Sequence, residues 1–160
     1  MAKKKPVKTN AMRLLDEMGI DYKDYDLDLK DAASADEVAR MLGKDPQAIF
    51  KTLVTVGSDK NHYVFMVPAN AHLSLKKAAK AAGVKNIEMI PQKELFGLTG
   101  YVHGGCSPLA MKKSFPTFVD ESCILFDSIC FSGGKIGVQI EMDPQILIDK
   151  LSVSPVDLAE

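Results

Sequence analysis

Two apolar runs, KTLVTVG (51–57) and HYVFMVP (62–68), stand on either side of SDKN (58–61). Their β-branched and aromatic content and the short polar break between them read as a β-hairpin. Nothing else in the chain restricts the fold as strongly, because such strands need cover. Within the first run one residue is out of place. Lys51 lies between Phe50 and the apolar positions Leu53, Val54 and Val56, and an ammonium drawn toward a core is costly unless it is paired or reaches water. Either Lys51 snorkels from a strand head to solvent, or it serves a site.

The segments around the hairpin alternate irregularly between helix and strand. Ala11, Leu14, Leu15 and Met18 repeat at helical spacing, with Thr9 or Asn10 available as cap and Gly19 as stop. YKDYDLDL (22–29) suits an edge strand, and SADEVARMLG (34–43) carries a capping box, Ser34 with Glu37, before Gly43. DPQAIF (45–50) predicts a short helical turn capped by Asp45 with Pro46 at its first position. LSLKKAAKAAG (73–83) is a helix capped by Ser74, NIEMI (86–90) a short strand and PQKELFGL (91–98) a short helix. The stretch 99–122 is rich in Gly, Pro and Ser and predicts irregular backbone with one strand at TFVD (117–120). SICFSGGKIGVQIEM (128–142) is a second hairpin turning at GGK, and DPQILIDKL (143–151) a closing helix. Such an order favours an α/β fold of mixed type, a curled, partly open mixed sheet or barrel with helices outside, over a doubly wound parallel sheet.

With 160 residues, 46% of them hydrophobic, the chain suffices for one domain, taken as 1–160. Its 20 basic and 21 acidic residues nearly cancel, so bulk charge does not make it a nucleic-acid coat, and RNA binding would need local patches. Lys76, Lys77 and Lys80 form a cluster, with Lys85, Lys112 and Lys113 as further candidates; they are either solvated surface or, sharing a face, phosphate contacts. Cys106, Cys123 and Cys130 have no CxxC spacing and suit a reducing compartment. His62, His72 and His103 form no ligand pattern, so no metal and no cofactor are expected. The basic start MAKKKPVK is followed by Arg13, Asp16 and Glu17 rather than an apolar signal core, and no run is long enough to span a membrane. A cytoplasmic location is expected.

The loop GGCSP (104–108) is the second feature with chemical potential. Paired glycines let successive amides converge on an anionic oxygen, and Pro108 sets the exit direction. The same composition also makes a plain turn. Cys106 has no motif-placed base beside it, so an inert loop cysteine is the reading preferred over a nucleophile, and Cys123 and Cys130 read as core.

KTLVTV, LSLKKAAKAAGVKNIEMI, TGYVHGGCSPLAMKKSFPTFVDES and FSGGKIGVQIEM, in this order, resemble the YbaK/EbsC family of free-standing aminoacyl-tRNA editing proteins, and more distantly the editing domain of bacterial prolyl-tRNA synthetases. The resemblance implies a deacylase for misacylated tRNA, chiefly Cys-tRNA(Pro), whose partners are the aminoacyl-tRNA acceptor end and, transiently, prolyl-tRNA synthetase, with no DNA and no membrane. It implies that Lys51 is the essential lysine and that Gly105, with Gly104, presents amides to the ester. It further implies substrate contacts from Tyr25, Thr52, Cys106, Ser107, Pro108, Ser132 and Gln139. Two positions depart: Gln139 stands where some cysteine-specific members carry aspartate, and a pocket phenylalanine is replaced near Ser34. Strict cysteine preference therefore does not follow from the resemblance. The implied chemistry needs positioning and oxyanion stabilisation, with attack by the substrate's own thiol or by water. A non-catalytic module for a tRNA end or nucleotide, docking on the synthetase, is the alternative; an esterase using Cys106 is a third.

Overall fold

The computed structural model describes residues 8–160, so the basic start at 1–7 lies outside the described residues. Among the described residues five α-helices and eight strands follow one another: α1 (Asn10–Glu17), β1 (Lys23–Asp26), α2 (Ala35–Leu42), β2 (Phe50–Gly57), β3 (His62–Pro68), α3 (Leu75–Ala82), β4 (Ile87–Met89), α4 (Leu95–Thr99), β5 (Thr117–Asp120), β6 (Ile129–Ser132), β7 (Val138–Met142), α5 (Pro144–Lys150) and β8 (Val153–Val156). The caps fall where side-chain chemistry places them. Thr9 Oγ1 accepts from Met12 N at 3.2 Å, Ser34 Oγ from Glu37 N at 3.2 Å and Ser74 Oγ from Lys77 N at 3.2 Å. Gly43 and Gly83 end α2 and α3 in the left-handed conformation that costs glycine least.

The strands form two sheets. One has five strands in the order β4-β2-β3-β5-β8, and the other three in the order β1-β7-β6. The sheets meet through an isolated bridge between Ile49 and Cys130, and β4 and β8 remain the edges of the larger sheet. The curled mixed sheet foreseen above is thus a mixed α/β arrangement of two joined sheets, and among the described residues no ring of strand pairing closes it as a barrel.

The apolar continuity of β3 has a direct cause. Tyr63, Phe65 and Val67 pack toward α3 with Ala78, Ala79 and Leu158, while Val64 and Met66 face other buried clusters. A strand covered on both faces cannot alternate. β3 lies between antiparallel β2 and parallel β5, and β5 in turn pairs parallel with β8. The strand β8 is absent from the sequence reading. It is four residues long and carries Pro155, which survives here because β8 is an edge.

The three-stranded sheet divides its faces cleanly. Ile129, Phe131, Val138, Ile140 and Met142 join Met12, Leu15 and Leu147 in the largest core cluster, beneath α1 and α5. The opposite face of β7 carries Gln139 and Glu141, since successive side chains alternate. That polar face turns toward the functional site. Among the described residues no helix is long and apolar enough to cross a membrane.

Candidate active site

At the head of β2 the sheet is incomplete. β4 pairs only with Thr55, Val56 and Gly57, which leaves the first half of β2 without a β4 neighbour. A cleft of about 230 Å³ opens there. Ile49, Phe50, Lys51, Thr52 and Leu53 all line it, so it wraps the strand end and takes residues from both faces. Ala32, Ala33, Ala35 and Val38 form the wall made by α2 and its approach, Leu95 comes from α4, and His103, Gly104 and Cys106 come from the glycine loop. Ser132 and Gln139, paired across β6 and β7, close the polar side.

Lys51 is half-buried, and burial lowers its pKa below the usual lysine value. Among the described residues it has no carboxylate partner, and no carboxylate lines the cleft. Thr52 Oγ1 and Gln139 Oε1, both buried in this cleft, have no hydrogen-bond partner among the described residues. Buried polar atoms of folded proteins are seldom left unpaired. A cation and two orphaned polar atoms in one pocket are suited to receive a polar ligand. Among the described residues no group of three or more His, Cys, Asp or Glu could hold a metal.

The glycine loop is built by packing. Gly104 has φ +84° and sits so close to Ala32 that a Cβ on it would lie 2.7 Å from the alanine Cβ. At Gly105 a Cβ would meet Ile136 N at 2.8 Å and the Lys135 carbonyl carbon at 3.0 Å. The loop therefore lies directly against the turn that joins β6 to β7, and Ser132 Oγ, accepting from Gly134 N at 3.2 Å, holds that turn.

Of the residues named from sequence, Lys51, Thr52, Gly104, Cys106, Ser132 and Gln139 come together in the cleft. Tyr25, Gly105, Ser107 and Pro108 do not line it. Gly105 N donates to Val102 O at 3.0 Å, so its amide is occupied, whereas the amides of Gly104 and Cys106 have no acceptor among the described residues. Ser107 is fully buried, and its Oγ accepts from Leu109 N at 3.2 Å. Pro108 faces a different groove with Leu14 and Phe115. Tyr25 lies opposite Gln139 in the sheet but donates its hydroxyl to Glu141 Oε1 at 2.6 Å. Burial pushes the Cys106 thiol up to about 12, so it is protonated at neutral pH and a poor nucleophile. His103 in the lining and Glu141 behind it were not singled out from sequence as site residues. Strand alternation relative to Gln139 would have placed Glu141 on the same face.

The scan against protein families matches residues 30–150 to the aminoacyl-tRNA editing domain. This chain belongs to the aminoacyl-tRNA editing domain family. Over 150 residues the chain is 47% identical to an Enterococcus faecalis protein named "Putative Cys-tRNA(Pro)/Cys-tRNA(Cys) deacylase EbsC", covering 92% of each chain. It is 32% identical over 107 residues to a proline--tRNA ligase of Shouchella clausii, matching 67% of this chain and only 19% of the ligase. Among solved structures, one described as "a putative trans-editing enzyme for prolyl tRNA synthetase" superposes with a TM-score of 0.84 at 26% identity, covering 97% of this chain and 99% of that one. The editing domain's matched region includes the whole cleft described above.

Proposed function

We propose that this protein is a free-standing aminoacyl-tRNA deacylase that clears misacylated tRNA, with Cys-tRNA(Pro) as first candidate and Cys-tRNA(Cys) as second. The observation that carries the reading is the cleft itself, where Lys51, Thr52 Oγ1 and Gln139 Oε1, each without a partner among the described residues, surround one space. The relative named as a deacylase supports the substrate class. The whole chain acts as one editing domain in the cytoplasm, meeting the tRNA acceptor end and, transiently, prolyl-tRNA synthetase.

In this reading Lys51 supplies fixed positive charge to the terminal nucleotide's phosphate or to the ester carbonyl as charge develops there. Thr52 offers a hydroxyl, and the amides of Gly104 and Cys106 are free to meet an oxyanion. Gly105 contributes by shape, letting the loop approach the 135–136 backbone. Ser132 and Gln139 bound the aminoacyl group on its polar side. Tyr25, Ser107 and Pro108 serve as supports for the pocket rather than as contacts.

The ester is already activated, so held geometry is the main requirement. Attack comes from the substrate's own thiol, forming a cyclic thioester as the ester C–O bond breaks and the thiol proton passes to the departing ribose oxygen, or from a water, which releases the free amino acid. With its thiol protonated, Cys106 is not called on as a nucleophile.

The test is deacylation of Cys-tRNA(Pro) and Ala-tRNA(Pro) by the wild type and by Lys51→Met. Clearance of Cys-tRNA(Pro) by the wild type alone supports the reading. Tight binding of the acceptor end with no turnover by the wild type would instead establish a binding module.

A further inference from the structure

Behind the cleft, and outside its lining, three side chains converge on one buried carboxylate. Glu141 is 6% exposed. Its Oε1 accepts the Tyr25 hydroxyl at 2.6 Å, and its Oε2 accepts Lys44 Nζ at 2.9 Å and the Ser128 hydroxyl at 2.5 Å. These donors come from β1, from the segment just after α2, and from the residue before β6. Burial alone would raise this acid. The bonds from Ser128, Tyr25 and Lys44 outweigh that effect and bring it down to about 2, so it stays ionised at any pH the protein works at.

Two arms of the cluster, Tyr25 and Lys44, belong to elements that adjoin walls of the cleft. Register places Tyr25, Gln139 and Ser132 in one row across β1, β7 and β6, so their side chains share a face. Glu141 lies two residues further along β7 on that face, and a bond from Tyr25 to Glu141 therefore runs diagonally beside Gln139. Lys44 follows the left-handed stop of α2 at Gly43, and α2 supplies Ala35 and Val38 to the opposite wall. One carboxylate thus ties the polar row of the small sheet to the helix facing it.

We propose that Glu141 is a positioning residue for the editing reaction, clamping Tyr25, Lys44 and Ser128 so that Gln139 and the α2 wall keep a fixed spacing around the acyl group. The inference rests on the deacylase reading of the cleft. A displacement of about 1 Å in such a wall is enough to cost a reaction much of its rate.

Tyr25→Phe removes a single hydroxyl, and Glu141→Gln keeps the volume while weakening all three bonds. In Cys-tRNA(Pro) deacylation both variants should lower kcat by about tenfold or more, with KM for tRNA nearly unchanged because the lysine and the loop amides remain. Adding Tyr25→Phe to Glu141→Gln should cost little more than Glu141→Gln alone, since Glu141→Gln already weakens the bond that Tyr25→Phe removes. Asp120→Asn is the control for lost stability. Asp120 is a buried carboxylate that accepts from Leu158 N and Ala159 N at 2.9 and 3.0 Å and holds the C-terminal segment, so its variant should melt earlier with an unchanged kcat. Wild-type kcat in Tyr25→Phe, or additive losses in the double variant, would overturn the clamp. Should Glu141→Gln fail to fold, Tyr25→Phe decides the question. An inactive wild type overturns the deacylase reading and this inference with it, whereas an active wild type with fully active variants overturns this inference alone.

Discussion

Replacing Lys51 by methionine should push activity and stability in opposite directions. Methionine keeps the unbranched stem and removes the ammonium. In the folded protein that ammonium is half-buried, has no ion-pair partner among the described residues, and has its pKa lowered by burial. A partly desolvated, unpaired cation destabilises the fold, and an apolar end group in its place gains part of a methylene's burial, in all ~0.5–1 kcal/mol. For a chain of this size each kcal/mol moves the melting temperature by roughly 2–4 °C, so Lys51→Met should melt about 1–4 °C higher than the wild type. Deacylation should fall ~10²–10³-fold, the usual loss when one preorganised electrostatic group is taken from a developing negative charge. The pH dependence has a definite sign. Because the folded pKa lies below the ordinary 10.5, the unfolded chain holds more protons between the two values, and wild-type stability rises with pH through that window. The variant lacks this rise, so its advantage shrinks as the pH passes the folded pKa toward 10.5. Scanning calorimetry at pH 7.5 and in the alkaline window, with single-turnover deacylation alongside, measures both effects. A lower melting temperature in Lys51→Met would refute the reasoning, because it would mean that the ammonium has a structural partner.

Gly105→Ala should lower the melting temperature by about 2–12 °C, from ~1–3 kcal/mol of overpacking against the backbone of Lys135 and Ile136, and should reduce deacylation by displacing the neighbouring amides; unchanged melting would mean that the loop is not packed on the turn. Cys106→Ser should keep deacylation within about threefold, because a thiol held near 12 supplies no thiolate; a loss of a hundredfold or so in the same assay would restore it as a nucleophile. Glu141 has a folded pKa of about 2 against an ordinary 4.5, so its contribution is complete above 4.5 and disappears as the pH falls toward 2. Urea unfolding at pH 7 and pH 3 should accordingly show a steeper loss of stability on acidification for the wild type than for Glu141→Gln.

Local chemistry along the chain determined a good deal by itself. Thr9, Ser34, Ser74, Asp45 and Asp143 accept the backbone bonds their positions predicted, because a cap needs only a side chain and an amide two or three residues away. The hairpin of β2 and β3 and the strand Thr117–Asp120 follow from composition and turn residues in the same way. Lys51 was recognisable as anomalous because a charge within an apolar run violates a one-dimensional pattern. What depends on distant segments meeting was decided only in three dimensions. The pairing of β5 with β8, the division into two sheets, and the separation of Gly104 from Gly105, one exposed beside the cleft and the other packed on Lys135, all come from contacts between parts of the chain far apart in sequence. Glu141 illustrates the difference most plainly. In sequence it is one acid in a strand; in the fold Tyr25 reaches it across 116 residues and Lys44 across 97, and the low dielectric around it gives those bonds their strength.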